Sequence, residues 1–259
     1  LSSMTNELRK YWGYFMLEFK RTSFYWPGLL FRISLITLRL VLPFSVFEIL
    51  RRTGKISDFD ATFALWAVLI GQILHNCDIR LSKRIKQEVR SGDIVIRLMD
   101  PTNYVLAKIA GSLGFFLPSF AVYSIIFIPI VYFLLPIKFN LIVLLLFTLI
   151  AALISNLIGL LIGMSSFFIE ENDGIELVVG KLMFIFGNQV IPIILMPVWV
   201  QNIARTTPFY MALSAPIDVA SGKYSSLLAF GQGVIYILLL LWLASWMLNQ
   251  IKRKLVING

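Results

Sequence analysis

The sequence predicts an all-α, polytopic integral membrane protein, and three observations carry that assignment. Hydrophobic residues fill 58% of the 259 positions and charged residues only 14%, with a mean hydropathy of +0.83. A soluble globular chain carries roughly 25% charged residues. Six transmembrane helices are expected, at roughly 28–50, 59–77, 109–135, 141–169, 177–200 and 226–250, because about 20 apolar residues are needed to cross about 30 Å of hydrocarbon. Runs such as FNLIVLLLFTLIAALISNLIGLLIGM (139–164) do not alternate in polarity, which argues against the alternating strands of an outer-membrane barrel.

Each element follows in order. Residues 1–27 set Leu8, Tyr11, Trp12, Phe15, Phe19 and Trp26 among basic residues, the pattern of an amphipathic helix lying in the headgroup plane. They contain no short apolar core before a small-residue cleavage site, so no cleavable signal is expected. Pro27 and Gly28 turn the chain into the first span, and the second span leads straight into RLSKRIKQEVRSGDIVIRLMDP (80–101). There Leu81, Ile85 and Val89 recur every fourth residue, one apolar stripe on a basic helix. Gly92 is expected to end that helix, Asp93 to cap a second over Ile94–Met99, and Pro101 to stop it. Residues 78–103 therefore read as a bent helix pair outside the membrane.

The third span carries Pro118 and Pro129 and the fifth Pro192 and Pro197, bends that a membrane helix tolerates where neighbours satisfy the freed carbonyls. Between the fourth and fifth spans, FFIEENDGIE is a short acidic turn. Residues 201–225 are too polar to span and are expected to fold back at the outer surface as short interfacial helices. No repeat or low-complexity segment divides the chain, which reads as one domain over 1–259.

Net charge is +9, and its distribution explains it without nucleic acid. With the N-terminus inside, 15 of the 23 Lys and Arg fall on the cytoplasmic side and 6 on the outer side, while Arg32 and Arg39 lie in the first span. Both termini and residues 78–108 are therefore expected to be cytoplasmic. Arg51 and Arg52 run against this bias. One cysteine, Cys77, allows no internal disulfide, and no Cys/His cluster has metal-ligand spacing.

Candidate chemistry is sparse. GIELVVGKL (174–182) resembles a phosphate-binding loop but has five residues between its glycines and Leu182 where a hydroxyl must reach Mg²⁺, so no ATP site is expected. His75 and Cys77, two apart on a helix, point away from each other. Arg39, mid-span, is a candidate intramembrane functional charge, whereas Arg32 lies close enough to the surface to snorkel. Gly159 and Gly163 form a GxxxG motif that admits a close helix neighbour, in this chain or another. The break at Ser91–Gly92–Asp93 and the apolar IVIRLM after it describe a short helix suited to docking in a groove of another protein. A basic loop attracted to lipid headgroups explains the charge but not the break.

At these residues the sequence resembles the membrane subunit of a type-2 ABC exporter, in the six-span permease group. The likeness rests on EVRSGDIVIRLMDPTNYV, where the family's acidic, glycine, leucine and proline positions fall on Glu88, Gly92, Leu98 and Pro101. It rests also on VWVQNIARTTPFYMALSAPIDVASGKY, with Pro208–Phe209, Ala215–Pro216 and Gly222. The resemblance implies a non-catalytic chain, in the cell inner membrane, that forms the substrate path with a second copy or a homologue. ATP and Mg would be used by separate cytoplasmic ATPase subunits. It implies a coupling helix seated on the ATPase, with contacts drawn from Glu88, Val89, Gly92, Asp93, Ile94, Arg97, Leu98 and Pro101, and the acidic turn of Glu170, Glu171 and Asp173 close by. The rival classes are a secondary transporter or channel, which favours inverted repeats around midplane charges, and an intramembrane enzyme, which needs convergent polar residues on separate spans.

Overall fold

The computed structural model describes residues 2–100, 102–169, 172–189 and 191–257, with backbone alone at 2–7 and 255–257. Among these every regular element is a helix: α1 (Ser2–Phe24), α2 (Trp26–Arg52), α3 (Asp58–Asn76), α4 (Leu81–Ser91), α5 (Asp93–Met99), α6 (Tyr104–Leu134), α7 (Leu141–Ser165), α8 (Asp173–Phe186), α9 (Val198–Arg205), α10 (Pro208–Leu213), α11 (Ala215–Ala220) and α12 (Ser226–Ile257). Starts are set by side-chain caps. Ser57 accepts the Asp60 amide, Asn103 those of Val105 and Leu106, and Asn140 those of Ile142 and Val143, each satisfying donors that a helix N-terminus leaves free. Five described helices, α2, α3 with its continuation, α6, α7 and α12, are long and apolar enough to cross a membrane.

The expected fifth span at 177–200 is not one helix. α8 stops after 14 residues, about 21 Å at 1.5 Å per residue. Asn188 then turns with φ +53°, its Oδ1 accepting the Ile193 amide at 2.8 Å, and a 3₁₀ turn over Ile193–Leu195 leads to α9. The break is wedged against α3. A Cβ on Gly71 would stand 2.6 Å from the Gly187 carbonyl oxygen, and the Gln72 amide donates to the Gln189 carbonyl at 2.8 Å.

Residues 201–225 form the expected short helices, and Tyr210–Leu213 of α10 with all of α11 are buried within the chain. They pack on α7, and the hydroxyl of Tyr210 donates to Asp218 at 2.8 Å while the Asn140 amide donates to the Ala220 carbonyl at 2.9 Å. The main core gathers α3, α6, α7, α10 and α11 around Trp66, Tyr123, Ile154 and Tyr210. α3 is buried on every side along Phe63–Leu74, as its near-continuous apolar sequence requires.

α1 packs on the body of the chain along one side. One face runs along α6, where a Cβ on Gly114 would stand 2.2 Å from the Phe15 carbonyl, while Leu8, Trp12 and Leu17 on other faces remain exposed.

The GxxxG pair of α7 meets α4 of the same chain. A Cβ on Gly159 would lie 3.6 Å from Leu81 Cβ, whereas one on Gly163 would lie 2.7 Å from Ile85 Cβ. Ile85 is fully buried there, in a second core with Leu160, Met164, Leu248 and Ile251; burying one such side chain contributes on the order of 2 kcal/mol. Gly163→Val is therefore expected to unseat α4 and cost about 1–3 kcal/mol, while Gly159→Ala, meeting ordinary van der Waals distance, stays within about 0.5 kcal/mol. Unfolding midpoints of the two variants in the same detergent check this, and equal midpoints would contradict it.

Candidate functional site

The site is built outward from α4. α3 ends at Asn76, the chain passes through Arg80 at φ +57°, and α4 then carries on along α7 to Gly92, which closes it at φ +78°. A left-handed conformation is free for glycine and costs other residues roughly 1 kcal/mol or more, so the break belongs at Gly92. Asp93 opens α5 as its first helical residue. The cap itself is Gly92, and the Asp93 carboxylate accepts from Ser91 Oγ at 2.8 Å.

Polar side chains tie α4 to its neighbours. Arg84 donates to Glu18 of α1 at 2.7 Å. Lys86, itself buried, pairs with Asp173 at the start of α8, and Ser82 donates to Glu176 one turn on at 3.3 Å. The Lys86 ammonium holds the Asp173 carboxyl below the usual carboxylate range. Glu88 is the densest junction. One oxygen accepts from the Tyr104 hydroxyl at 2.9 Å, the other pairs with Lys108 of α6 and with Arg97 of α5, the latter at 3.2 Å.

α5 is thereby fixed in one orientation. Ile94 is 2% exposed and Leu98 packs beside it on the second core, while Ile96 and Met99 are 72% and 78% exposed. α1 braces the far end, where Tyr14 donates to Asp100 at 3.2 Å and Tyr11 accepts the Asn103 amide at 3.1 Å. Between α1 and the α4–α5 pair lies an open cleft of about 840 Å³, with Ile96, Arg97 and Asp100 on its wall.

The expected contact residues thus divide. Glu88, Val89, Gly92, Asp93, Ile94, Arg97, Leu98 and Asp173 come together around α4 and α5, but Ile94 and Leu98 point into the chain's own core, and Glu88 is spent on internal partners. Pro101, Glu170 and Glu171 lie outside the described residues. The outward side of α5 carries Ile96 and Met99 instead, which the sequence does not mark because five of the seven α5 residues are apolar and no polar face tells which side is buried. Arg39 stands apart, donating to Gln72 Oε1 at 3.5 Å and through it facing the broken fifth segment. The segment GIELVVGKL lies wholly within the α8 helix.

Comparison with protein families completes the description, since residues 35–259 match the family described as ABC-2 family transporter protein. The chain belongs to that family. A comparison with curated proteins returns no match. As an ABC-2 chain it is the multi-pass membrane component of an ABC transporter, and the family implies association with ABC ATPase subunits. The ABC-2 match takes in α3 through α12 and the greater part of α2, so α4, α5 and their anchors on α6–α8 lie inside it, while α1 lies before it.

In this ABC-2 chain the side chains of Glu88 and Lys108 are each only 15% exposed, and breaking a pair so buried leaves an uncompensated charge. Glu88→Gln is expected to loosen α5 and α6 from α4, raising amide exchange over Asp93–Met99 about tenfold or more, equal to about 1.4 kcal/mol, with α7 unchanged. Exchange measured by mass spectrometry checks this; unchanged protection of 93–99 would contradict it.

Proposed function

We propose that this chain is the permease subunit of an ATP-driven exporter, forming the substrate path with a second copy or a homologue and coupled to two cytoplasmic ATPase subunits. ATP and Mg belong to those subunits, and this chain is not itself catalytic. Both termini and residues 78–103 face the cytoplasm of the cell inner membrane, the sidedness that the excess of basic residues favours.

The observation that carries the reading is the presentation of α5. A seven-residue helix has little stability of its own, yet here it is locked by Ile94 and Leu98 below and by Arg97–Glu88 at its side, leaving Ile96 and Met99 outward. Paired apolar side chains on a rigid support are what an interface uses as anchors, each contributing about 2 kcal/mol or more when it is buried by the partner. Exposed charges around them, Arg90 and Asp93, serve orientation and association rate. Motion of the ATPase would pass through α5 to α4 and from there to α7, α6 and α8 by direct contact.

Two variants separate docking from folding. Ile96→Asp is expected to leave the chain folded while lowering ATPase co-purification about 30-fold, the equivalent of about 2 kcal/mol, and stopping transport. Leu98→Asp would instead destabilise the chain itself by placing a charge against the second core. Co-purification of the ATPase with unimpaired transport in Ile96→Asp would overturn the assignment.

A further inference from the structure

A second cavity, of about 390 Å³, lies where α1 bends into α2 and faces the turn from α3 to α4. Five arginines line it: Arg21, Arg32, Arg39, Arg80 and Arg84. Two carboxylates oppose them. Glu18 is engaged by Arg84 at 2.7 Å and Arg21 at 3.7 Å, and Asp78 accepts the amide of Arg80 at 2.7 Å. Arg32 stacks on Phe115 and donates one nitrogen to the carbonyls of Asn76 and Asp78, which accounts for it as a cation at the C-terminal end of α3. That leaves its remaining N–H groups free, since a guanidinium carries five donors.

Arg39 and Arg80 lack such an explanation. Among the described residues neither has a carboxylate within ion-pair distance, and the one polar contact Arg39 makes is long at 3.5 Å. Arg80 sits in a left-handed conformation at φ +57°, a strained backbone for arginine of the kind that persists at functional sites. Arg39 lies seven residues beyond Arg32 along α2, two turns or about 10 Å deeper, so positive charge extends from the inner end of the helix into its middle. Tyr25, Leu29 and Leu35 give the wall an apolar side, with Thr22, His75 and Asn76 as its remaining polar groups, and the outward face of α2 beside it exposes Phe31 and Leu38. Guanidinium donors at one side and hydrocarbon at the other describe the boundary between a phosphate headgroup and its acyl chains.

We propose that this cavity binds the phosphate headgroup of an anionic lipid taken from the surrounding inner leaflet. The lipid would complete the partner set of Arg39 and Arg80 and brace the α1–α2 bend against the α3–α4 turn. The site is distinct from the docking surface of α5 and does not depend on it.

The test uses the full chain purified in mild detergent and examined by native mass spectrometry with added phosphatidylglycerol or phosphatidylcholine. One phosphatidylglycerol should be retained in preference to phosphatidylcholine. Arg39→Gln with Arg80→Gln should weaken that retention about 25-fold, at roughly fivefold per charge removed near an anionic surface, while Arg39→Lys with Arg80→Lys keeps most of it. Arg80→Gly, which relaxes the backbone and so guards against misfolding, should lose about fivefold alone. Arg52→Gln, at the other end of α2 and paired with Glu48, should change nothing. Equal retention of the two lipids, or wild-type retention by the Gln pair and by Arg80→Gly, would overturn the proposal. Saturable binding of inorganic phosphate or pyrophosphate that displaces the lipid at equal concentration would overturn it in favour of a soluble anion.

Discussion

Close approach of α4 to α7 is the constraint on which the α4–α5 end of this molecule depends. Gly163 removes the one Cβ that would hold the two backbones apart, and Ile85 fills the space. Once α4 is seated there, its other faces can reach four further elements: Glu18 on α1, Asp173 on α8, Lys108 on α6 and Arg97 on α5. A helix of 11 residues has too little intrinsic stability to hold such a position alone. Tertiary packing supplies it.

Magnitudes decide which of these contacts matter. Arg97 is half exposed, so its pair with Glu88 contributes about 1 kcal/mol at most, whereas burial of Ile94 alone contributes about 2 kcal/mol. α5 is therefore held chiefly by its apolar underside and oriented by its charge. Glu88 with Lys108 is another matter: both are shielded, and desolvating two charges costs so much that the intact pair adds little net stability. What the pair provides is registry, since removing either partner strands the other.

Much of this is legible in the sequence, and the failures have physical causes. The every-fourth-residue stripe of Leu81, Ile85 and Val89 predicts α4, and Gly92 predicts its end. Gly159 and Gly163 announce a close helix neighbour without naming it, because a small-residue groove on α7 accepts any helix of suitable shape. Averaged hydropathy conceals the break at Gly187–Asn188, since the flanking residues are apolar whether the chain crosses the membrane or folds back against Gly71. The short helices of 210–220 are legible in composition, and the Tyr210–Asp218 hydrogen bond satisfies polar atoms there and lets the segment be buried within the chain. The orientation of α5 and the inward role of Glu88 are set by partners more than ten residues away, which local spacing does not record.

The central claim is that α4, α5 and the C-terminal half of α7 move as one body. Cysteines introduced together by Leu81→Cys and Gly159→Cys test it most directly, because Leu81 Cβ and a Cβ at position 159 stand 3.6 Å apart, within the range of about 3.5–4.5 Å that a disulfide spans. In the complex with its ATPase, with Cys77 replaced, the bridge should form on mild oxidation and leave ATP-driven turnover near its reduced level. A bridge that does not form, or one that abolishes turnover and restores it on reduction, would show that α4 slides on α7 and would contradict the claim.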